Sequence, residues 1–234
     1  MKHLSFSPLG DRAIVIEFGD EINLEINNRI LEMKKAIMNQ PFPGFIEAVP
    51  AYTTLTIFYD PVSVGTNFPY ETIKSELELR VPSFSTIKKQ SEKIIEIPVC
   101  YENDFAMDID FVAHHNGLTK KEVINIHSDM LYHVYFLGFA PGFPFLGGMN
   151  EKIAAPRRTT PRLKVPIGAV GIAGKQTGVY PFESPGGWQI IGRTPLLLFN
   201  PNTTPPSLLL PGDKVRFVPI SKQEFNALED KNGS

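Results

Sequence analysis

The apolar positions in the first part of the chain follow two periods in turn. Segment 13–18 is rich in β-branched residues and predicts a strand. The apolar positions after it recur every three to four residues, which predicts a helix with Asn23 as its N-cap. Segment 52–59 and the spacing from Tyr70 to Leu77 repeat this order of strand and helix. We therefore predict a small α+β domain of split-βαβ type over residues 1–88.

The segment 81–93 is polar and lacks a clear period, which predicts a linker. Segment 94–99 is β-rich and opens a second domain, predicted over residues 93–228. Two short helices are expected next, the first over 108–116. The second begins at Thr119.

The helix after Thr119 has a well-defined predicted start and a defined apolar face. Thr119 and Glu122 have the spacing of a capping box. Val123 and Ile126 share one helical face with His127, so the imidazole is expected to point toward the apolar side.

The rest of the chain consists of short β-like runs separated by glycine and proline. This pattern predicts a closed or nearly closed β-barrel that carries small helices. The runs are 132–136, 165–172, 188–191, 196–199 and 215–219.

Charge and composition restrict the classes of partner. The formal net charge is -2, and no dense run of Lys or Arg occurs, so no nucleic-acid or anionic-membrane surface is predicted. The single cysteine, Cys100, excludes an intrachain disulfide and is expected to be buried. No apolar stretch approaches the length of a membrane span. We expect a cytoplasmic protein whose partners are proteins or small molecules.

Two loops after the second helix carry candidate binding groups. Segment 136–148 alternates aromatic rings with Gly and Pro, including Phe139 and Phe143; it either lines a pocket or fills a barrel end. Arg157, Arg158 and Arg162 lie in a loop punctuated by prolines. Their guanidinium groups either hold a carboxylate or phosphate, or form surface ion pairs.

Several other motifs are weaker or are excluded. The glycine spacing in 168–178 differs from that of a phosphate-binding P-loop, which leaves Gln176 and Thr177 as possible polar contacts. Ser184 lacks the glycine context of a hydrolase nucleophile. The histidines show no metal-ligand spacing, so no metal is predicted. His127 is either a general base in a cleft or a hydrogen-bonded core residue.

Taken in order, the motifs resemble those of the KipI family, also labelled allophanate hydrolase subunit 1, whose members include the B subunit of bacterial 5-oxoprolinase. The likeness extends over nearly the whole chain and is densest after Ile94. The motifs that carry it are the aromatic segment 138–147, the arginines of 156–162, and the segments 176–181, 185–188 and 211–217.

The resemblance implies a cyclophilin-like barrel and a role in a heteromeric complex. With a KipA-like and a LamB/YcsF-like subunit, the complex would open 5-oxoproline to glutamate while it consumes ATP, and this chain would be inactive alone. Two alternatives within the family stay open: an inhibitor of a sensor histidine kinase, and the carboxyltransferase half of a biotin-dependent urea carboxylase.

The resemblance also singles out the residues of a candidate site. His127, Arg158 and Arg162 are expected to be catalytic. A second group is expected to bind substrate: Phe139, Phe143, Arg157, Gln176, Thr177, Tyr180, Gly186, Gly187 and Trp188.

Overall fold

The computed structural model describes residues 4–80 and 93–232. The chain divides into two compact units, Met1–Ser91 and Glu92–Ser234. Apart from Lys93, the predicted linker 81–93 lies outside the described residues.

The first unit is a four-stranded antiparallel sheet with helices. Its elements are β1 (Ser5–Pro8), β2 (Ala13–Glu17), α1 (Leu24–Asn39), β3 (Phe45–Pro50), β4 (Thr54–Tyr59), α2 (Pro61–Val64) and α3 (Pro69–Arg80). The strand order is β1-β2-β4-β3. Helix α1 connects β2 to β3, and β4 lies between these two strands and is antiparallel to both. This connection is the predicted split βαβ unit.

Helix α1 begins and packs as its sequence predicts. The Asn23 side-chain oxygen accepts a hydrogen bond from the Ile26 backbone N–H at 2.9 Å, which satisfies one of the unpaired donors of the first turn. Ile30, Met33 and Ile37 are fully buried and belong to the core of this unit. The helical spacing therefore supplies the apolar face that covers the sheet.

The second unit is a closed β-barrel with short helices. In chain order it contains β5 (Ile94–Cys100), α4 (Ile109–His115), α5 (Lys120–Ser128), β6 (Tyr132–Leu137), β7 (Pro144–Gly147), a 3-10 turn (Glu151–Ile153), β8 (Arg162–Val165), β9 (Ala169–Ala173), β10 (Gln176–Val179), β11 (Ser184–Gly186), β12 (Gln189–Arg193), β13 (Lys214–Ile220) and α6 (Lys222–Asn232). The barrel order is β10-β7-β6-β13-β5-β12-β9, and β8 and β11 form a separate two-stranded ribbon.

The apolar side chains of the second unit form two separate clusters. One is the barrel core, to which every barrel strand contributes, including Val170 and Ile172 of β9. The other lies on the opposite face of β9, where Ala169 and Ala173 contact rings from the neighbouring loops. Successive residues of a strand point to opposite faces, so β9 has one face in each cluster. We call the second cluster the outer aromatic layer; it comprises Phe143, Val165, Ala169, Ala173, Tyr180, Trp188 and Ile190.

Two predicted strands are wrong. Segment 165–172 is not one strand but the last residue of β8, a turn and most of β9. The chain turns at Gly168, which has a φ of +78° and donates its N–H to the Tyr180 carbonyl. Segment 196–199 joins no sheet and has only an isolated bridge between Phe199 and Ser207. Its Leu198 carbonyl accepts from Leu208 within the same loop, so its backbone bonds are made locally.

The predicted fold class, a small split-βαβ unit followed by a barrel, is confirmed. Cys100 is free and buried, as expected. No helix within residues 4–80 or 93–232 is long and apolar enough to cross a membrane.

Candidate functional site

Two of the predicted site arginines converge on one buried carboxylate, that of Asp108. Arg162 donates from Nη1 to Oδ2 at 2.8 Å and from Nη2 to Oδ1 at 2.7 Å. Arg158 donates from Nη1 to Oδ1 at 3.0 Å. The Ile190 backbone N–H donates to Oδ2 at 2.7 Å. Asp108 thus holds both guanidinium groups beside strand β12.

The backbone around this cluster is also tied together. Asp108 precedes α4, and its own N–H donates to the Ile190 carbonyl at 2.8 Å. The Arg158 N–H donates to the Gly187 carbonyl at 2.8 Å, and the Gln189 side-chain amide donates to the Pro156 carbonyl at 2.9 Å. These bonds fix the arginine loop to the β11–β12 connection independently of the charged groups.

The charges of the cluster do not cancel. The Asp108 side chain is 6% exposed, the Arg162 side chain 19% and the Arg158 side chain 35%. A buried carboxylate held by a bidentate guanidinium is a strong, geometrically specific pair. One carboxylate against two guanidinium groups leaves one positive charge, and Arg158 is the more exposed of the two arginines.

Three rings of the outer aromatic layer pack edge to face beside the arginines. The ring centroids of Phe143 and Trp188 lie 5.7 Å apart, those of Phe143 and Tyr180 5.9 Å, and those of Tyr180 and Trp188 6.4 Å. Gly186 admits the Tyr180 ring: a Cβ at this position would lie 2.4 Å from the Tyr180 hydroxyl oxygen. The predicted ring residues therefore cover the outer face of the barrel, rather than filling its end.

The Tyr180 hydroxyl lies close enough to the arginines for their charges to act on it. Burial raises its pKa, while a hydrogen bond with the Trp188 backbone and the positive charges of Arg157 and Arg162 act in the opposite direction. Arg157 itself is exposed and makes no ion pair with any residue that the structure describes.

Phe139 is displayed from the tip of the aromatic loop. Its side chain is 78% exposed, and among the described residues it is the one non-glycine with a positive φ, +65°. Its ring contacts Phe143 edge to face at 5.6 Å. Backbone strain of this kind costs about 1–3 kcal/mol and persists where the surrounding structure enforces it.

His127 lies in the barrel core, away from the arginines. Its Nδ1 is 2.8 Å from the Tyr101 hydroxyl, and its Nε2 is 2.9 Å from Thr177 Oγ1, which donates to the Gly171 carbonyl at 3.0 Å. Since Thr177 donates to Gly171, its oxygen accepts from His127; Nε2 therefore carries the proton, and Nδ1 accepts from Tyr101.

The burial of His127 favours the core role over that of a general base. The side chain is fully buried, and desolvation lowers its pKa from 6.5 to about 3. Its ring stacks on Phe217 at 4.5 Å. An imidazole with this pKa is neutral near pH 7 and has no exposed edge, so it contacts no substrate from this position.

The structure thus divides the predicted site residues between two places. His127 and Thr177 face the barrel core, whereas the remaining buried or half-buried members lie on the outer face of β9, β10 and β12. Gln176 is half-buried at the β9–β10 turn. The outer group consists of Phe143, Arg158, Arg162, Tyr180, Gly186, Gly187 and Trp188.

Asp108 is the site residue that sequence reasoning missed. The sequence marks it only as the start of a helix, and its arginine partners lie 50 and 54 residues away. The sequence carries no local signal for this role, because the fold sets both the burial of Asp108 and its contact with the arginines. Within the described part of the chain, no group of three or more His, Cys, Asp or Glu side chains is arranged to hold a metal.

Residues 4–209 match the family model described as carboxyltransferase domain, subdomain C and D. The chain belongs to this family. Its relatives within the carboxyltransferase C and D family include the B subunit of 5-oxoprolinase from Bacillus subtilis (strain 168), 50% identical over 96% of both chains. The corresponding B subunit of Escherichia coli O157:H7 is 42% identical and covers 90% of this chain. The resemblance to the B subunit of 5-oxoprolinase is therefore confirmed.

Solved structures agree with this carboxyltransferase C and D assignment. PH0987 from Pyrococcus horikoshii is 54% identical over 94% of this chain and 100% of its own, with a TM-score of 0.56. TTHA0988 is 37% identical with a TM-score of 0.77, and this chain spans 40% of that chain. The Kluyveromyces lactis urea amidolyase, 23% identical with a TM-score of 0.76, shows the same fold.

Proposed function

We propose that this chain is the B subunit of an ATP-dependent 5-oxoprolinase and acts with a KipA-like and a LamB/YcsF-like subunit. The observation that carries the proposal is the 50% identity to the B subunit of a 5-oxoprolinase over 96% of both chains. The coverage is nearly complete in both directions, so the similarity extends to both units of the chain.

The chemistry requires groups that bind anions. In the proposed reaction, the lactam oxygen of 5-oxoproline attacks the γ-phosphorus of ATP, and the bond to ADP breaks. Water then adds to the activated carbon, and the ring C–N bond breaks as nitrogen takes a proton, which leaves an acyl phosphate. A second water hydrolyses this acyl phosphate to the glutamate carboxylate and free phosphate. Both substrates are anions, and guanidinium groups held in a rigid, half-buried position stabilise such charge better than mobile ones.

Arg158 and Arg162 supply this function in the proposal. Asp108 orients both guanidinium groups, and the rings of Phe143, Tyr180 and Trp188 form an apolar surface beside them. Such a surface excludes water and strengthens nearby charge interactions. ATP is a substrate of the complex in this account, and the partner subunits provide the rest of the active site.

Co-expression with the two partner subunits tests the proposal. The purified complex is expected to form glutamate from 5-oxoproline only with ATP, and this chain alone is expected to form none. Arg158→Ala should lower the rate at least 10-fold in the complex, since a lost charge-assisted hydrogen bond is worth about 1.5–3 kcal/mol. Lys164→Gln is the control, because Lys164 is 77% exposed and pairs with Glu183 at the surface. A complex that forms but does not hydrolyse 5-oxoproline would refute the assignment.

A carboxyltransferase role is the second candidate, supported by the family description and by the urea amidolyase of Lachancea kluyveri, which is 28% identical over 95% of this chain. The chain covers 14% of that enzyme. In this case activity would depend on a biotinylated carrier and avidin would abolish it, whereas 5-oxoproline hydrolysis would be insensitive to avidin. The predicted kinase-inhibitor role and cytoplasmic location stay predictions.

A further inference from the structure

Asp108 accepts more hydrogen bonds than a role in orienting one arginine requires. Its two oxygens accept four bonds, three from guanidinium nitrogens and one from the Ile190 N–H. Arg162 donates two of these bonds, one from Nη1 and one from Nη2, so most of its guanidinium group is already bonded to Asp108. The part of the cluster that remains for a ligand belongs to Arg158.

The free edge of Arg158 has the geometry of a carboxylate receptor. Its Nη1 is bonded to Asp108, whereas its buried Nε has no hydrogen-bond partner within the described chain. A buried donor without a partner costs about 1–3 kcal/mol. A carboxylate along the Nε and Nη2 edge would supply two acceptors in the paired arrangement that guanidinium groups favour, and to reach Nε it must displace the atoms that now cover this nitrogen.

The charge of the cluster favours a monoanion. Arg158 and Arg162 against Asp108 leave one positive charge in a site where the carboxylate is 6% exposed. One carboxylate brings the total to zero. Arg157, the third arginine of this loop, is exposed, so water screens its charge and it does not compensate a buried ligand. A phosphate dianion or the triphosphate of ATP would therefore leave excess negative charge next to the buried Asp108 carboxylate, which is strongly unfavourable.

We propose that Asp108 is a positioning residue that, together with Arg162, makes Arg158 a selective site for the carboxylate of a small organic monoanion, the substrate, and not for a phosphoryl group. The identity of this carboxylate as that of 5-oxoproline rests on the proposed function. The apolar rings of Tyr180 and Trp188 beside the arginines suit the hydrocarbon part of such a ligand.

The isolated full-length chain provides a test that needs no other protein. Trp188, the only tryptophan, follows Gly187, whose carbonyl accepts from the Arg158 N–H, so its fluorescence reports on the site. At constant ionic strength, 5-oxoproline is expected to give a saturable change with an affinity at least 10-fold higher than inorganic phosphate or ATP. Phosphate or ATP binding as tightly as 5-oxoproline, or no saturable response to any of the three, would overturn the proposal.

Variants separate the positioning role from general stability. Asp108→Asn raises the charge of the cluster by one unit and is expected to abolish the 10-fold preference, whereas Asp108→Glu should restore part of it. If Asp108→Asn does not fold by circular dichroism, Arg158→Gln serves instead: this side chain is 35% exposed, and its loss should remove 5-oxoproline binding while the fold persists. An unchanged preference in a folded Asp108→Asn or Arg158→Gln variant would refute the inference.

Kinetics of the assembled complex distinguish the two proposals. Asp108→Asn is expected to raise KM for 5-oxoproline at least 10-fold and to leave KM for ATP unchanged. If KM for ATP rises instead, the inference fails and the proposed function stands. If the wild-type complex has no 5-oxoprolinase activity while the isolated chain still prefers carboxylates, the proposed function fails and the carboxylate site stands.

Discussion

Nε2 of His127 and Oγ1 of Thr177 lie 2.9 Å apart in the barrel core, although 50 residues separate them in the chain. The bond joins helix α5 to strand β10. The Thr177 hydroxyl in turn donates to the Gly171 carbonyl of β9, which extends the network to a second strand. On their opposite faces, the same two strands contact Trp188, which packs against Gly171 and Gly178. The core network therefore supports the surface on which the aromatic layer rests.

Stability should fall in acid because of His127. Its pKa is about 3 in the folded chain against 6.5 for an ordinary histidine, so protons bind preferentially to the unfolded chain. This contribution to the free energy of unfolding is complete above about pH 6.5 and is lost progressively toward pH 3, at about 1.4 kcal/mol per pH unit. Urea unfolding of the wild type and of His127→Phe between pH 7 and 4 measures it.

The two curves are expected to converge as the pH falls. At pH 7 the variant should be less stable by about 1–3 kcal/mol, because Tyr101 and Thr177 lose a buried partner. Thr177→Val is the matched control: it removes a hydrogen bond but keeps the buried imidazole, so its curve should stay parallel to that of the wild type. Parallel curves for the wild type and His127→Phe would contradict the lowered pKa.

The sequence correctly predicted the features of helix α5 that depend on residues close together in the chain. The Thr119 side chain accepts from the Glu122 N–H, and the Glu122 side chain accepts from the Thr119 N–H, as the capping-box spacing indicates. The apolar face of α5 likewise placed His127 toward the core. Such features are set within one or two helical turns, so they can be derived from the sequence alone.

Features that depend on barrel closure could not be derived in this way. Asp108 meets Arg162 only because β12 and the arginine loop are brought to the start of α4 by the fold. Strand β10 was not predicted, because Gly178 interrupts the apolar pattern of a strand. The same glycine allows close contact with Phe143 and Trp188. Thr177 meets His127 in the core, whereas its neighbour Gly178 faces Trp188; this division follows from which face of the strand points inward, which depends on sheet register.

The adjacent glycines of the site should respond differently to an added methyl group. A Cβ on Gly186 would lie 2.4 Å from the Tyr180 hydroxyl oxygen, whereas a Cβ on Gly187 would have its nearest neighbour, Pro161, at 3.7 Å. Gly186→Ala should displace the Tyr180 ring and lower the free energy of unfolding by about 1–3 kcal/mol. Gly187→Ala should stay within about 0.5 kcal/mol of the wild type. Thermal unfolding of both variants measures the difference, and equal losses would show that the space around Tyr180 is not limiting.

The exposed ring of Phe139 should serve association and not stability. Its φ of +65° is strained for a side chain with a Cβ, and the ring is 78% exposed, so Phe139→Gly relieves strain while it removes little packing. We expect an unfolding free energy no lower than that of the wild type. Because exposed aromatic side chains often anchor interfaces, binding to the co-expressed partner subunits should weaken about 10-fold. Phe68→Ala removes a ring that is 70% exposed in the other unit and is the control. Wild-type affinity of Phe139→Gly, measured by calorimetry, would show that the partners bind elsewhere.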